Sequence, residues 1–184
     1  LRQIASKADP DPADGTAFLV PFRVDELPLA ISLAALAPPQ GRGTEESEPF
    51  WLPVGVGGDE LAIQSFDLEP GQSVLFAGPP GSGRTSALTM AARWYLARGV
   101  PILLAGLRPA AWPDFGRAAE GLIVGRFGPA DVRALTAALT DIDRPFVMLV
   151  DDAESLVDSP LEAGLLACDG ATVVRIAAGC TDSL

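Results

Sequence analysis

Apolar residues recur along this chain at two different periods. Val74 to Ala77, Pro101 to Ala105 (PILLA), Phe146 to Val150 and Thr172 to Ala177 (TVVRIA) are short apolar runs bounded by turn residues, which predicts strands buried in a sheet. Between these runs the period lengthens. Leu88, Ala91, Ala92 and Tyr95 fall at i, i+3, i+4 and i+7, predicting a helix from Thr85 to Arg98 that lays one apolar face on the sheet and stops at Gly99. Pro129, tolerated at a first helical position, opens a second helix with Val132, Leu135 and Leu139 on one face, and Leu161, Leu165 and Leu166 suggest a short third. Alternating strands and helices predict an α/β fold with a mostly parallel sheet, whose ligands bind beyond the carboxyl ends of the strands.

The N-terminal part follows a different pattern. Residues 1–16 include DPDPADG and have linker composition, whereas Phe18, Val20, Phe22 and Val24 alternate as in a half-buried strand. Leu27 to Leu36 is apolar without a decided period. Ala37 to Pro49 (APPQGRGTEESEP) holds no apolar residue larger than alanine, which predicts a flexible, solvated loop. Trp51 to Val56 and Leu61 to Phe66 then read as a hairpin turning at Gly57-Gly58-Asp59, and Glu69-Pro70-Gly71-Gln72 turns the chain into Val74. A linker at 1–16 and a single domain at 17–184 is the organisation this implies.

Composition narrows the chemistry. A chain of 184 residues, 48% apolar and 20% charged, suits one soluble domain with a substantial core. A net charge of -11 argues against neutralising nucleic-acid phosphates and favours protein partners over DNA. The absence of histidine, with Cys168 and Cys180 lacking CxxC spacing, excludes Cys/His zinc sites and histidine-dependent hydrolases. No long uninterrupted apolar run or signal-peptide order is present, and with Leu1-Arg2-Gln3 in place of an initiator Met the chain reads as a piece of a longer protein.

The chemistry concentrates in Val74 to Thr85 (VLFAGPPGSGRT), where an apolar strand empties into Gly78-Pro79-Pro80-Gly81-Ser82-Gly83-Arg84-Thr85 and a helix starts. Glycines there let backbone N–H groups wrap around phosphate at the positive end of the helix, and the Thr85 hydroxyl, followed by Ser86, is placed to hold Mg²⁺. The pattern asks for lysine where this chain has Arg84. Arginine is longer, planar and forked, so it supplies charge without reproducing a compact ammonium. Binding is thereby expected to survive better than phosphoryl transfer, which depends on positioning. Asp151-Asp152, 66 residues after Thr85 at the end of an apolar strand, supplies a metal-side acid (Asp151) and a candidate base for water (Asp152). The spacing puts the two strands side by side or one apart. A plain strand-end turn with solvated carboxylates is the alternative reading.

With these elements in this order, the chain resembles the FtsK/SpoIIIE-type P-loop ATPases. LPVGVGGDELAIQSFDLEPGQSVLFAGPPGSGRTSAL is similar to that family's hairpin and Walker A segment, and VMLVDD at Val147 to Asp152 to its Walker B. Within the family it looks closest to the degenerate ATPase domains of EccC-type motors of type VII (ESX) secretion. The resemblance implies a RecA-like sheet, ATP and Mg²⁺ as ligands, and a membrane-anchored parent carrying further ATPase domains at the cytoplasmic face of the membrane. It also implies small helical-hairpin secretion substrates, leaves a ring of identical copies open, and implies another strand and helices after Leu184. Two departures, Arg84 and an Ala178-Gly179 pair where active members carry a Thr-Gln sensor after the fourth strand, point to weak or absent hydrolysis and a docking or regulatory role. A working DNA translocase and a nucleotide-free docking module are the competing readings. Arg175 lies inside a predicted strand, and Arg117, Arg126, Arg133 and Arg144 read as surface charges, so none is assigned as an arginine finger.

Overall fold

The computed structural model describes residues 26–36, 50–116, 119–168 and 170–180. The linker, the alternating strand at Phe18 to Val24, the loop at 37–49 and the end of the chain fall outside the described residues. Two sheets form. Strands β1 (Leu52–Gly57) and β2 (Ala62–Phe66) make an antiparallel hairpin, while β3 (Ser73–Gly78), β4 (Ile102–Gly106), β5 (Ile123–Phe127), β6 (Phe146–Asp151) and β7 (Val173–Cys180) make a parallel sheet in the order β3-β7-β6-β4-β5. Helices α1 (Arg84–Ala97), α2 (Val132–Thr140) and α3 (Pro160–Leu166) supply its layers.

Side chains alternate across the sheet and divide the core in two. Ile102, Leu104, Val147, Leu149, Val174 and Ile176 face α1, whereas Leu103, Ala105, Phe146, Met148, Val150 and Val173 face α2 and α3. Every residue of β4 is buried, as expected for a central parallel strand covered on both faces. The Leu27 to Leu36 stretch contributes a single 3₁₀ turn at Leu33–Leu36.

Several expectations need correction. Helix α1 buries Trp94 and Leu96 as well as its predicted stripe, because the sheet covers one side of it and the hairpin another. Trp94 Nε1–H donates to the Trp51 carbonyl at 2.7 Å, and the two indoles sit 5.4 Å apart, so the hairpin seals Trp94 into the core. Trp112 is likewise buried. The second helix begins at Val132, after Asp131 accepts from the Gly128 N–H and turns the chain. The predicted fourth strand runs on through Cys180, so Ala178 and Gly179 lie inside β7, paired with Phe76 and Ala77. Strand β5 (IVGRF) is an element that the sequence pattern does not predict. Leu166 is exposed, leaving Leu161 and Leu165 to anchor α3.

Arg126 is no surface charge: Nη1 and Nη2 donate to the Trp112 and Pro113 carbonyls, each at 2.8 Å, and its guanidinium carbon lies 5.9 Å from the Phe115 ring centre. Both cysteines are free thiols.

Candidate nucleotide site

The register of the sheet brings the two motifs to one edge. Gly78 at the end of β3 pairs with Cys180 of β7, and Val150 of β6 pairs with Ala177 of the same strand. One strand therefore separates Gly78 from Asp151, a gap of about 10 Å at the usual strand spacing. Of the two arrangements the spacing allows, the structure has the strands one apart.

Residues 79–83 carry the chain from β3 into α1. Pro79 accepts from the Ser82 N–H at 3.2 Å, which folds the loop back on itself. Gly81 and Gly83 have φ of 81° and 91°, a left-handed backbone that a side chain would strain. A Cβ on either would meet nothing within 4 Å, so conformation alone requires glycine there. Gly83 is also the cap residue of α1, and no side chain caps the helix. The first amides of α1, those of Arg84, Thr85 and Ser86, are thus without the side-chain acceptor that a Ser or Asp cap would offer, and the helix dipole adds partial positive charge.

Thr85 turns back toward β6, where its Oγ1 donates to Asp151 Oδ2 at 2.9 Å. Asp151 Oδ1 accepts from the Asp152 N–H at 3.1 Å, which fixes the carboxylate plane. Asp152 has φ 50° and ψ 46°, and its Oδ2 lies 3.6 Å from Nη2 of Arg108. Arg84 does not stand alone. Its Nη1 lies 3.6 Å from Oε1 of Glu154, a residue that belongs to neither sequence motif.

A cleft of about 520 Å³ opens beside the start of α1, lined by Thr85, Ser86 and Met90 on the helix and by Ile31, Leu33 and Val54 opposite. That volume lies in the range of small-molecule sites. The residues present fit a magnesium polyphosphate: an open glycine cradle, an uncapped helix start, and a hydroxyl already paired with a carboxylate.

No protein-family profile and no curated protein sequence matches this chain. Among solved structures it is similar to the cytoplasmic domain of the Thermomonospora curvata type VII secretion ATPase EccC, at 18% identity and a TM-score of 0.53, over 86% of this chain and 21% of that one. It is also similar to the cytoplasmic domain of EssC, at 15% identity and a TM-score of 0.50, over 87% of this chain and 35% of that one. The chain thus spans about a fifth to a third of the length of these structures. At such identities the likeness establishes the fold: a RecA-like P-loop sheet with an appended hairpin.

Proposed function

We propose that this chain is the nucleotide-binding P-loop domain of an FtsK/SpoIIIE-like motor of the type VII secretion kind, holding ATP with Mg²⁺ and turning it over weakly or not at all. The observation that carries the reading is the hydrogen bond from Thr85 to Asp151 beneath an uncapped helix start. Hydroxyl and carboxylate meet where a P-loop site holds its metal. The loop amides and Gly81 and Gly83 receive the phosphates, and the cleft toward Ile31 and Met90 takes the nucleoside. When bound, Mg²⁺ would supply charge neutralisation between phosphate oxygens. Asp152 is the residue in this reading that orients water.

Weak turnover follows from Arg84, whose guanidinium is engaged by Glu154. A domain that binds nucleotide without efficient hydrolysis suits substrate docking or regulation within a larger motor. Its partners in this reading are sister ATPase domains of the parent chain and a small helical-hairpin export substrate, at the cytoplasmic face of the membrane. No helix among the described residues is long and apolar enough to cross a membrane, so anchoring falls to other parts of the parent. The same engagement of Arg84 favours, as a second reading, a docking module that takes no nucleotide.

Calorimetry and thermal shift with Mg-ATP decide between the two. Binding with turnover below about 1 per second is the expected result, whereas enzymes commonly exceed that rate. No heat and no stabilisation at millimolar nucleotide leaves the docking module.

A further inference from the structure

The only charged side chain in the phosphate loop already has a partner within the chain. Arg84 and Glu154 are 15% and 22% exposed, and their contact at 3.6 Å is an ion pair. It is not a saturated one: Arg84 Nη1 and Glu154 Oε2 are both buried without a hydrogen-bond partner. Glu154 belongs to the 3₁₀ turn Ala153–Leu156 that follows Asp151-Asp152, and it reaches across the end of β7. There a Cβ on Gly179 would stand 3.4 Å from Glu154 Oε2, so the glycine leaves the approach open. Three elements thus converge on one ion pair beside the loop.

Charge decides what such a loop can tell apart. Backbone amides of the loop and helix start reward the inner phosphates whatever Arg84 does. The outermost phosphate adds further negative charge, and it is rewarded by a free cation at position 84. A cation neutralised by Glu154 gives little such reward, and the carboxylate repels the added charge.

We propose that Glu154 sets the phosphate selectivity of the loop: by holding Arg84, it makes the site take nucleoside diphosphates and triphosphates about equally. The proposal rests on the nucleotide-binding reading above. Selectivity is a difference of two affinities, so the test compares both nucleotides in each protein.

Dissociation constants for Mg-ADP and Mg-ATP are measured by calorimetry for the wild type, Glu154→Gln and Glu154→Asp, with melting temperatures taken without nucleotide. The wild type is expected to hold the two within about threefold, and Glu154→Gln to tighten ATP about tenfold while ADP changes by less than about threefold. Glu154→Asp keeps the charge and stays near the wild-type ratio, a rescue that a purely structural role would not tie to the carboxylate. Should Glu154→Gln fail to fold, Glu154→Ala is read in the same way. A wild type that prefers ATP by tenfold or more, or a Glu154→Gln protein whose two affinities move together or not at all, overturns this proposal alone. No binding of either nucleotide to any of the proteins overturns it together with the nucleotide-binding reading.

Discussion

Thr85 Oγ1 and Asp151 Oδ2 lie 2.9 Å apart across 66 residues of chain. The sheet makes that meeting: β3 and β6 both stop at the same edge with only β7 between them, and α1 opens at Arg84 directly after the loop, so its second residue stands at that edge. Thr85 is exposed, so the bond contributes about 1 kcal/mol or less to folding. In the proposed reading its larger use is with a metal. Thr85→Ala is therefore expected to lower the melting temperature by no more than about 4 °C. The same change should remove the EDTA-sensitive part of the stabilisation given by ATP. If EDTA weakens that stabilisation equally in both proteins, Thr85 is not a metal-holding residue.

Asp152 sits in the left-handed region at φ 50° and ψ 46°, where an L-residue is strained by about 1 kcal/mol. The partner on its carboxylate, Arg108, is 75% exposed, so the pair stabilises little. Asp152→Gly should relieve the strain and raise the melting temperature by about 2 to 4 °C. Under the proposed function any residual ATP hydrolysis should disappear, because Asp152 is the carboxylate proposed to orient water. A Gly variant that melts lower than the wild type would show that the carboxylate, and not the backbone, matters for stability here.

Arg126 straps the segment leading into β5. It reaches the Trp112 and Pro113 carbonyls at 2.8 Å and closes over Phe115. Charge-assisted hydrogen bonds of this kind each contribute about 1.5 to 3 kcal/mol when buried, and Arg126 is only partly so. Arg126→Ala is expected to cost about 2 to 3 kcal/mol in urea unfolding. Arg126→Lys should recover little of it, since an ammonium cannot fork to two carbonyls. Full recovery by lysine would reduce the contact to simple charge.

The residues of these predictions differ in how far the sequence exposes them. Thr85 and Asp151 are legible because each ends an apolar strand or opens a helix within a spaced pattern, and their pairing follows from the strand order. Strands β4 and β6 are legible as uninterrupted apolar runs. Strand β5 is not: Gly125 and Arg126 break its apolar run, and it is the half-buried edge of the sheet. The charge of Arg126 suggests solvent, while its fork is used inward. Glu154 is hidden for another reason. Its only local signal is a carboxylate three residues past Asp151, and whether it reaches Arg84 depends on a 3₁₀ turn and on the bare backbone of Gly179. Trp94 likewise lies off the helical stripe, and only the docking of the hairpin gives it a face to bury.

The hairpin also governs the last prediction. Tyr95 is the only tyrosine of the chain, fully buried, and its hydroxyl donates to the Phe50 carbonyl at 3.1 Å just before β1. Burial pushes its phenol well above the ordinary value of 10.0, with Arg98 opposing only in part. Above that pH the unfolded chain releases a proton that the folded chain keeps. The stability owed to this group is therefore complete below about pH 10 and falls as pH rises further, by up to about 1.4 kcal/mol per unit. Tyr95→Phe removes the proton and with it this slope. The same substitution leaves the Phe50 carbonyl without its donor, at a cost of about 1 to 2 kcal/mol at neutral pH. Urea unfolding from pH 8 to 11 should thus show the variant weaker at pH 8 and the two curves converging toward pH 11. The thiol of Cys168, also pushed up by burial with Arg175 opposing, is common to both proteins and cancels in the comparison. Parallel curves would mean that Tyr95 ionises in the folded state as readily as in the unfolded one, and that the hairpin does not seal it from water.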